Sequence, residues 1–558
     1  MIGRYIGEDG KLLVKFLLVV IFVLVWAPVS QAAAPKAEQN ISYTGSWRSS
    51  SDIVDGWDWT LPPHVVAAPR SGIFNYNSRV PPGFRGNHLK QVNADWRTLE
   101  PERGRYDFSQ LVREIKDPAY DGVMLNVRGV TWTKSGSATA RTAPDWLSDA
   151  PKITESPING FQIVNLDITN ESVKQGLINL WSALGKAGIP QMPEVKFVIV
   201  HGPSQTEGEE WSGAQVTSAG TSAMLEILSA HIRAVGPNDT WKLAWPKHFG
   251  PLLDATLRAG GGQRNSNIEK WLVYFPNTDI GETFTDTGYI EINESLPLIA
   301  EKRHFQDQNE RYGGRSTDVD RFGDPIYWPL RYRHANLRAL QAHRNVLWLE
   351  RDSVMNPPMV NWVGLELGRD VTNAPDAWVA LMRTWVRHGG ENREVNNFAR
   401  WLYQRDINGV KTTPTISVDH GFNATANGLL PENLWYSDIA RQAPLIGFAV
   451  DDRFLSGGPH SVAIKVTFHD INPSTWSLVY RTPNGERERS INNGNTKKVR
   501  TATFFVDDFV ANADGKNFDF TLKSNGEATP FSFVRVIKLA PPSSAPAPRP
   551  PTDVTIGP

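Results

Sequence analysis

The feature that most constrains the fold is a change in hydrophobic pattern near Leu430. Between Ser71 and Gly428, short apolar segments that predict strands alternate with longer segments that predict helices. Beyond Leu430, apolar and polar residues alternate with a period of two, and Asn-Gly and Asp-Gly pairs separate the segments. The first pattern favours a parallel α/β barrel, because a helix follows each strand. The second pattern favours an antiparallel β-sandwich.

Eight apolar segments are candidate barrel strands, and periodicity alone leaves the later ones open, because it does not separate a short buried strand from a buried helical turn. They are Gly72–Tyr76, Leu89–Trp96, Gly122–Val130, Val195–Val200, Leu243–Trp245, Trp271–Phe275, Asn345–Leu349 and Val360–Leu365. The predicted organisation is a signal peptide (1–34), a lead-in (35–70), a (β/α)8 TIM barrel (71–428), a C-terminal antiparallel β-sandwich (429–540) and a proline-rich disordered tail (541–558).

The N-terminus predicts the compartment. Lys11 and Lys15 precede an apolar run, Phe16–Trp26, and small residues follow at Ser30 and Ala32–Ala34. This order is typical of a secretory signal, and the run is shorter than the about 20 residues of a membrane span. An uncleaved anchor is the alternative. We expect a secreted or periplasmic protein that has no membrane association once the signal is removed.

Composition excludes several kinds of site and disfavours some classes of partner. The chain has no cysteine, which excludes disulfides, thiolate metal sites and a cysteine nucleophile. Its formal net charge of -1 does not favour nucleic acid as a partner. The sequence contains no HExxH, P-loop or GxGxxG motif, so we predict no metal and no cofactor. The 20 tryptophans and 13 tyrosines suit a sugar site, although core packing uses most aromatic residues. The oligomeric state stays open.

One strand–loop–helix segment, Asn93–Leu111 (NADWRTLEPERGRYDFSQL), carries the most chemical information. Its loop combines an aromatic ring, a guanidinium group and carboxylates between the end of a strand and the start of a helix. The segment resembles the second βα unit of β-galactosidase-like retaining glycoside hydrolases, a (β/α)8 clan in which W…LEPE.G.YDFS recurs. The predicted sandwich also resembles the accessory domains of such enzymes. The resemblance implies a carbohydrate substrate and a cofactor-free reaction.

Glycoside hydrolysis needs two carboxyl groups that face each other across the scissile bond. The resemblance implies an acid/base after strand four and a nucleophile at the end of strand seven, with retention of configuration. The loop after Val195–Val200 contains Glu207, Glu209 and Glu210, and like charges this close raise at least one pKa. The Gly208-Glu209 spacing is similar to some barrel glycosidases, so Glu209 is the first candidate. Glu207 and Glu210 are alternates, and a solvated acidic loop is the competing interpretation.

The nucleophile candidate is Glu350, which follows Asn345–Leu349, the predicted strand seven, and precedes Arg351. A nearby cation favours an ionised carboxylate, although a structural ion pair fits equally well. Glu366 and Glu282 are alternates.

Asn-Glu pairs, which the clan uses at the acid/base, occur at Asn170-Glu171, Asn293-Glu294 and Asn309-Glu310. The first pair fits a helix cap, because asparagine is a good N-cap and glutamate suits the first turn. The other two have no clear strand before them.

Aromatic, amide and guanidinium side chains near the predicted strand ends are candidates for substrate contacts. Aromatic rings pack on the apolar faces of sugars, while amide and guanidinium groups bond hydroxyls or acidic substituents. Thr142–Leu147 is also similar to the APxWL segment after strand three in these hydrolases. A structural role is the alternative for each residue. The candidates are Trp96, Arg97, Asn126, Arg128, Trp132, Trp146, Trp211, Trp245, His248 and Trp328.

These features together predict a secreted glycoside hydrolase that cleaves β-linked galactose-type oligo- or polysaccharides by a retaining two-carboxylate mechanism. A galactan of marine algae is a candidate substrate by family analogy alone. The main alternative is a non-catalytic carbohydrate-binding protein on a degenerate barrel. A polysaccharide lyase, which needs a tyrosine or histidine base, is a third possibility.

Overall fold

The computed structural model describes most of the barrel and sandwich. The described residues are 43–44, 47, 53–75, 80–135, 141–155, 162–200, 213–246, 250–265, 282–285, 287–292, 304–306, 328–349, 356–388, 391–406, 410–419, 436–511 and 518–539. For some of them, including 304–306, only the backbone is described. The predicted signal and tail lie outside these ranges. No helix within the ranges is long and apolar enough to cross a bilayer.

Eight parallel strands close into a barrel. In chain order, strands one to eight are Gly72–Asn75, His88–Asp95, Gly122–Arg128, Val195–Ile199, Leu243–Pro246, Gly262–Asn265, His304–Gln306 and Arg344–Leu349. Strand eight pairs with strand one, where Val346 lies beside Gly72, and this pairing closes the ring. The predicted fold class, a parallel α/β barrel followed by antiparallel sheets, is confirmed.

Helices and short sheets connect the barrel strands. The α-helices are Trp96–Leu99, Ser109–Ile115, Glu171–Lys186, Ser218–Val235, Pro251–Arg258, Trp328–Gln341 and Pro357–Glu366, and 3-10 turns lie at Asp145–Leu147 and Thr240–Lys242. A small sheet of Thr131–Lys134, Ile163–Leu166 and Lys152–Thr154 follows strand three. A hairpin of Glu282–Phe284 and Ile290–Ile292 lies between strands six and seven.

The last three predicted strands were assigned wrongly. Strand six is Gly262–Asn265 rather than Trp271–Phe275, which lies outside the described residues. The segment predicted as strand seven is strand eight, because the short strand His304–Gln306 precedes it in the barrel. Strands six and seven have the sequences GQRN and HFQ, which are too short and too polar to give an apolar signal.

The predicted eighth strand, Val360–Leu365, is helical. It lies within the helix Pro357–Glu366, where Asn356 is the N-cap and its Oδ1 accepts a hydrogen bond from the Met359 amide at 3.3 Å. Proline in the first turn suits a helix start, because its missing N–H has no intrahelical partner there. Most of this helix is buried, so the polar face that marks an amphipathic helix is missing from the sequence.

Two antiparallel sheets form the C-terminal sandwich. One contains, in spatial order, Glu391–Arg400, Asp376–His388, Tyr436–Gln442, Phe531–Lys538, Gly457–Asp470, Lys498–Ala511 and Ile53–Asp55, with Thr413–Asp419 paired to Tyr436–Gln442. The other contains Leu402–Arg405, Leu445–Val450, Phe520–Asn525, Thr475–Thr482 and Gly485–Asn492. Their inner faces share a core in which Val462 and Ile464 of the first sheet join Trp476 and Leu478 of the second.

The sandwich begins earlier than the predicted boundary at 428/429. Its first C-terminal strand is Asp376–His388, which follows the last barrel helix closely. The lead-in also contributes, because Ile53–Asp55 pairs with Lys498–Ala511. A two-residue strand, Tyr43–Thr44, pairs in parallel with Trp57–Asp58. The antiparallel sheet therefore contains strands from both ends of the described chain, so a single boundary in the sequence does not separate the barrel from the sandwich.

A buried aromatic cluster joins the barrel to the sandwich. Trp57 and Trp59 of the lead-in stack at 5.5 Å between ring centroids, and Trp59 lies 5.0 Å from Trp362 of the last barrel helix. Phe533 of the sandwich lies 5.2 Å from Trp59. Trp57, Trp59 and Trp362 are at most 2% exposed. Burial of large aromatic surface is a strong stabilising term, so barrel, lead-in and sandwich pack as one unit here.

Two buried histidines predict acid sensitivity. Burial lowers the pKa of His231 and of His469 to about 3 in each case, against a usual value of 6.5. Below pH 6.5 the unfolded chain binds protons that the native state does not, so stability falls as the pH drops from about 6.5 to 3. We expect a loss of up to about 1.4 kcal/mol per histidine for each pH unit in that window.

Chemical denaturation at several pH values checks this prediction. His231→Gln and His469→Gln should each flatten the decline in the free energy of unfolding below pH 6.5. His64→Gln is the matched control, since it is the same substitution at an exposed histidine. Equal slopes in all three variants and the wild type would contradict the assignment.

Candidate functional site

The inner wall of the barrel is polar at the C-terminal ends of strands two and three. Leu89 on strand two and Met124 on strand three belong to the apolar cluster inside the barrel. Side chains two residues apart share a face of a strand, so Asn93 and Asn126 also face inward. The register agrees, because Asn93 pairs with Asn126. The same rule places Gln91, Asp95 and Arg128 on the inner wall.

Hydrogen bonds join this polar wall, defined here as Gln91, Asn93, Asp95, Asn126 and Arg128. Asn93 Oδ1 accepts bonds from Asn126 Nδ2 at 2.7 Å and from Gln91 Nε2 at 2.9 Å. Arg128 Nε donates to Asp95 Oδ1 at 2.8 Å, and Arg128 Nη2 lies 2.7 Å from the same oxygen. The wall is therefore a fixed set of donors and acceptors, placed where barrel enzymes bind substrate.

The side chains of the polar wall differ in their exposure to solvent. Asn126 is fully buried, Asn93 is exposed, and the side chains of Asp95 and Arg128 are 20% and 23% exposed. Exposed amide and guanidinium groups of this kind can bond sugar hydroxyls. Among the described inward-facing side chains, Asp95 is the one carboxylate, and it is paired with Arg128. The described wall thus supplies groups that could bind a polar ligand, and its described residues include no pair of opposed carboxyl groups.

The first glutamate of the LEPE motif, Glu100, has a structural role. Glu100 is 2% exposed, and its carboxylate accepts bonds from Trp96 Nε1 and from the Gly104 amide, both at 2.6 Å. Gly104 has a φ of 76°, which glycine adopts readily. Burial and the hydrogen-bonded Glu100 carboxylate raise the pKa of Tyr106 to about 12. The spacing of Trp96, Glu100, Gly104 and Tyr106 lets Glu100 contact the other three residues and close the loop beside the polar wall.

Two predicted sugar contacts, Trp96 and Trp245, are wrong because both side chains are buried in the core. Trp96 is 0% exposed and points to the outer side of strand two, where its ring meets Trp146 edge-on at 5.6 Å. Trp245 is also 0% exposed, and it lies in the same core cluster between the barrel and its helices. Both residues are core aromatics: Trp245 faces outward on strand five, and Trp96 begins the short helix that directly follows strand two.

Other predicted contacts lie above strand three. Trp132 is partly buried, with Arg141 Cζ 3.5 Å and Lys152 Nζ 4.5 Å from its ring centroid. Trp146 is partly buried, and Arg97 is exposed, with its amide donating to the Thr142 carbonyl at 2.9 Å. These side chains stay accessible near the motif loop, so they remain candidates for substrate contact.

Two buried side chains hold the C-terminal stem of the strand-four loop. Glu155, which is 1% exposed, accepts a hydrogen bond at Oε2 from the Ala214 amide at 2.7 Å. Gln215, which is 2% exposed, accepts from the Ile168 amide at 2.9 Å and donates to the Leu166 carbonyl at 3.0 Å. The loop that contains the predicted acid/base is thus anchored to the segment that follows strand three.

The remaining predicted site residues have little or no description. Glu282 begins a strand of the hairpin after strand six, and Trp328 begins the helix before strand eight, in each case with the backbone alone described. The others lie outside the described residues: Glu207, Glu209, Glu210, Trp211, His248 and Glu350.

The strand order changes the nucleophile assignment. Glu350 follows strand eight, so the resemblance, which expects the nucleophile after strand seven, does not select it. Strand seven ends at Gln306, and the next carboxylates in the sequence are Asp307 and Glu310. Glu310 belongs to the Asn309-Glu310 pair, for which no preceding strand could be predicted, because His304–Gln306 carries only one large apolar residue.

Glu366 is a structural residue rather than a nucleophile. It is 0% exposed at the end of the last barrel helix, 3.4 Å from Arg400 Nη1. Burial, reinforced by the Asp376 carboxylate, raises the pKa of Glu366 well above its usual value, although Arg400 opposes the shift. A fully buried carboxyl group between the barrel and the sandwich has no access to a sugar.

Sequence reasoning missed Gln91, Asn93, Asp95 and Glu155. A signal for the first three exists, because these polar residues alternate with Val92 and Ala94 along strand two. Glu155 has no local signal, since its partner Ala214 is distant in the sequence. Within the described ranges, no group of three or more His, Asp or Glu side chains is arranged to hold a metal ion.

Comparison with known proteins adds a weak similarity. No family model and no curated protein matches this chain. A solved structure of a Paenibacillus sp. cycloisomaltooligosaccharide glucanotransferase, complexed with cycloisomaltoheptaose, is similar at 10% identity with a TM-score of 0.23. The alignment covers 84% of this chain and 57% of the glucanotransferase chain. This weak similarity to a carbohydrate-active enzyme carries no argument about substrate or mechanism.

Proposed function

We propose that this protein is a secreted or periplasmic glycoside hydrolase. The observation that carries the proposal is the polar wall at the C-terminal mouth of a closed barrel, directly before the Asn93–Leu111 motif. Barrel enzymes place their substrate at this end of the strands. The wall offers amide and guanidinium groups for hydroxyls, and Trp132 and Trp146 lie near it on the loops above strand three. This combination suits a carbohydrate better than an apolar ligand or an anion.

The proposed substrate is a β-linked galactose-type oligo- or polysaccharide, cleaved with retention. Glu209 is the proposed acid/base, with Glu207 and Glu210 as alternates, because these residues follow strand four. The proposed nucleophile moves from Glu350 to a carboxylate after strand seven, Asp307 or Glu310. The acid/base protonates the glycosidic oxygen, the nucleophile attacks the anomeric carbon, and the acid/base then deprotonates the water that releases the sugar.

Asn93 and Arg128 bind rather than react in this proposal, and buried Asn126 positions Asn93. Asn93 is held by its bond from Asn126, and Arg128 is held by Asp95, so both can present polar groups without rearrangement. Binding groups that are held in place lower the entropic cost of reaching the transition state.

A panel of soluble β-linked glycans tests the proposal. We expect new reducing ends from at least one galactose-containing substrate, and NMR of the first product should show the anomeric configuration of the substrate. Inversion would overturn the two-step mechanism, and an unsaturated product that absorbs ultraviolet light would identify a lyase.

The second candidate function is carbohydrate binding without hydrolysis. The ion pair of Asp95 with Arg128 favours this alternative, because Asp95 is the one carboxylate on the described wall and it is already paired. Retention of glycans on the immobilised protein, with no cleavage of any member of the panel, would establish this alternative.

A further inference from the structure

A cleft lies at the end of the barrel opposite the polar wall, where the barrel meets the sandwich. It has a volume of about 320 Å³ and is lined by Glu291 of the hairpin, by Gln341 and His343 before strand eight, and by Trp401, Tyr403 and Arg405. His343 directly precedes strand eight, so this junction cleft lies at the N-terminal end of the strands, opposite the polar wall. Its size is at the lower end of the range of about 300–1,000 Å³ for small-molecule pockets.

Two lining residues have unusual backbone conformations. His343 has a φ of 55° and Trp401 has a φ of 59°, a region that bulky side chains rarely adopt. Their rings meet edge-on with centroids 5.4 Å apart. Trp401 is 1% exposed, and its indole N–H has no acceptor within the described part of the chain. Strained residues cluster at ligand sites, so the conformations of His343 and Trp401 mark this cleft as a candidate site.

The accessible wall of the junction cleft combines an ion pair with the half-buried ring of Tyr403, whereas the neighbouring Tyr289 ring is buried. Arg405 Nη2 lies 3.2 Å from Glu291 Oε1, and the two side chains are 32% and 50% exposed. Arg405 Cζ lies 4.1 Å from the Tyr289 ring centroid and 5.4 Å from that of Tyr403. The wall thus offers a ring, a cationic donor and an anionic acceptor within one small space.

We propose that the junction cleft binds one neutral hexose unit of a glycan chain, at a site separate from the polar wall. The pairing of Arg405 with Glu291 balances the charge at the rim, which disfavours a purely anionic ligand. The side-by-side donor and acceptor match vicinal hydroxyls, and the Tyr403 ring provides an apolar surface for the C–H face of a pyranose. The choice of a glycan rests on the proposed function, whereas the location and polarity of the site do not.

Affinity electrophoresis with soluble β-galactan, agarose oligosaccharides and a β-glucan tests the inference. We expect the wild-type protein to be retarded by at least one of these glycans. Tyr403→Ala should weaken binding by about tenfold, because ring stacking contributes energy of that order. Tyr403→Phe should bind like the wild type. Tyr120→Ala, a half-buried tyrosine beside Lys90 elsewhere on the barrel, is the matched control and should not change binding.

The outcomes separate this inference from the proposed function. Tyr403→Ala should still hydrolyse a short soluble substrate at the wild-type rate, since Tyr403 lies at the far end of the barrel. Retention that depends on Tyr403, without cleavage of any glycan, would keep the cleft proposal and overturn the hydrolase. Unchanged binding by Tyr403→Ala and by Glu291→Gln, or no retardation of the wild type by any of the glycans, would overturn the cleft proposal. Matching thermal unfolding curves verify that each variant is folded.

Discussion

Glu209→Gln is expected to lower hydrolysis of a cleaved glycan by about 10²–10⁴-fold, the usual contribution of a general acid and base. Glutamine keeps the shape of the side chain but cannot transfer the proton. The loop stem behind Glu209 is held by Glu155 and Gln215, so the substitution should leave the fold unchanged. The pH–rate profile should also lose its limb at high pH, because that limb reports the ionisation of the acid.

The three loop glutamates are best compared as a series. Glu207→Gln and Glu210→Gln should retain most activity if Glu209 is the acid, and a large loss in one of them would transfer the role. Glu102→Gln is the matched control, because this glutamate lies in the motif loop near the mouth, where it forms an exposed ion pair with Arg105 at 3.3 Å. Wild-type rates from every variant in the series would remove the strand-four loop from the mechanism.

The nucleophile is tested in the same assay. Glu310→Gln or Asp307→Asn should abolish turnover, whereas Glu350→Gln should be tolerated, because only the first two follow strand seven. The opposite result would show that the clan's strand order does not transfer to this barrel. An activated substrate with a good leaving group adds a check, since it needs less acid assistance and should recover rate in the acid variant but not in the nucleophile variant.

Asp58→Ala is expected to lower the free energy of unfolding by about 3–5 kcal/mol, as for other broken buried ion pairs. Asp58 of the lead-in pairs with Lys465 of the sandwich, and both side chains are at most 2% exposed. Thr60 Oγ1 also accepts a bond from Lys465 Nζ at 3.0 Å. Removal of the carboxylate leaves the ammonium group buried with its charge uncompensated.

The chain contains a matched surface pair for comparison. Asp55, on the same lead-in segment, lies 2.6 Å from Lys498 of the same sandwich, but the side chains are 48% and 53% exposed. Asp55→Ala should therefore change stability by no more than about 1 kcal/mol. Denaturant titration at neutral pH measures both variants, and equal losses would show that burial does not govern the Asp58 pair.

A double variant and the pH dependence separate charge from packing. Asp58→Leu with Lys465→Met should recover much of the stability lost in Asp58→Ala, because apolar replacement of a buried pair is often neutral or stabilising. Burial alone would raise the pKa of Asp58, but Lys465 and the hydrogen bonds of Thr60 lower it below its usual value. The contribution of the pair is therefore present above the usual carboxyl pKa, and it is lost as the pH falls through the lowered value.

The sequence predicted the first five barrel strands and the sandwich core because those elements carry strong local signals. Strand three (GVMLNVR) is an apolar run with a polar end, and the strand containing Val462 and Ile464 alternates with a period of two. Strands six and seven were not predicted because their short sequences, GQRN and HFQ, contain one large apolar residue between them. Their pairing with neighbours, rather than their own composition, makes them strands.

Local sequence determined the alternation of polar and apolar residues along strand two, the loop closed by Glu100 and the cap at Asn356, because each depends on residues that are neighbours in the chain. Tertiary structure alone decided that Asn93 meets Asn126, that Glu155 holds Ala214, that Asp58 pairs with Lys465 and that the segment before Glu350 is strand eight. These contacts join distant segments, and their partners are chosen by burial and strand register, which local patterns do not encode.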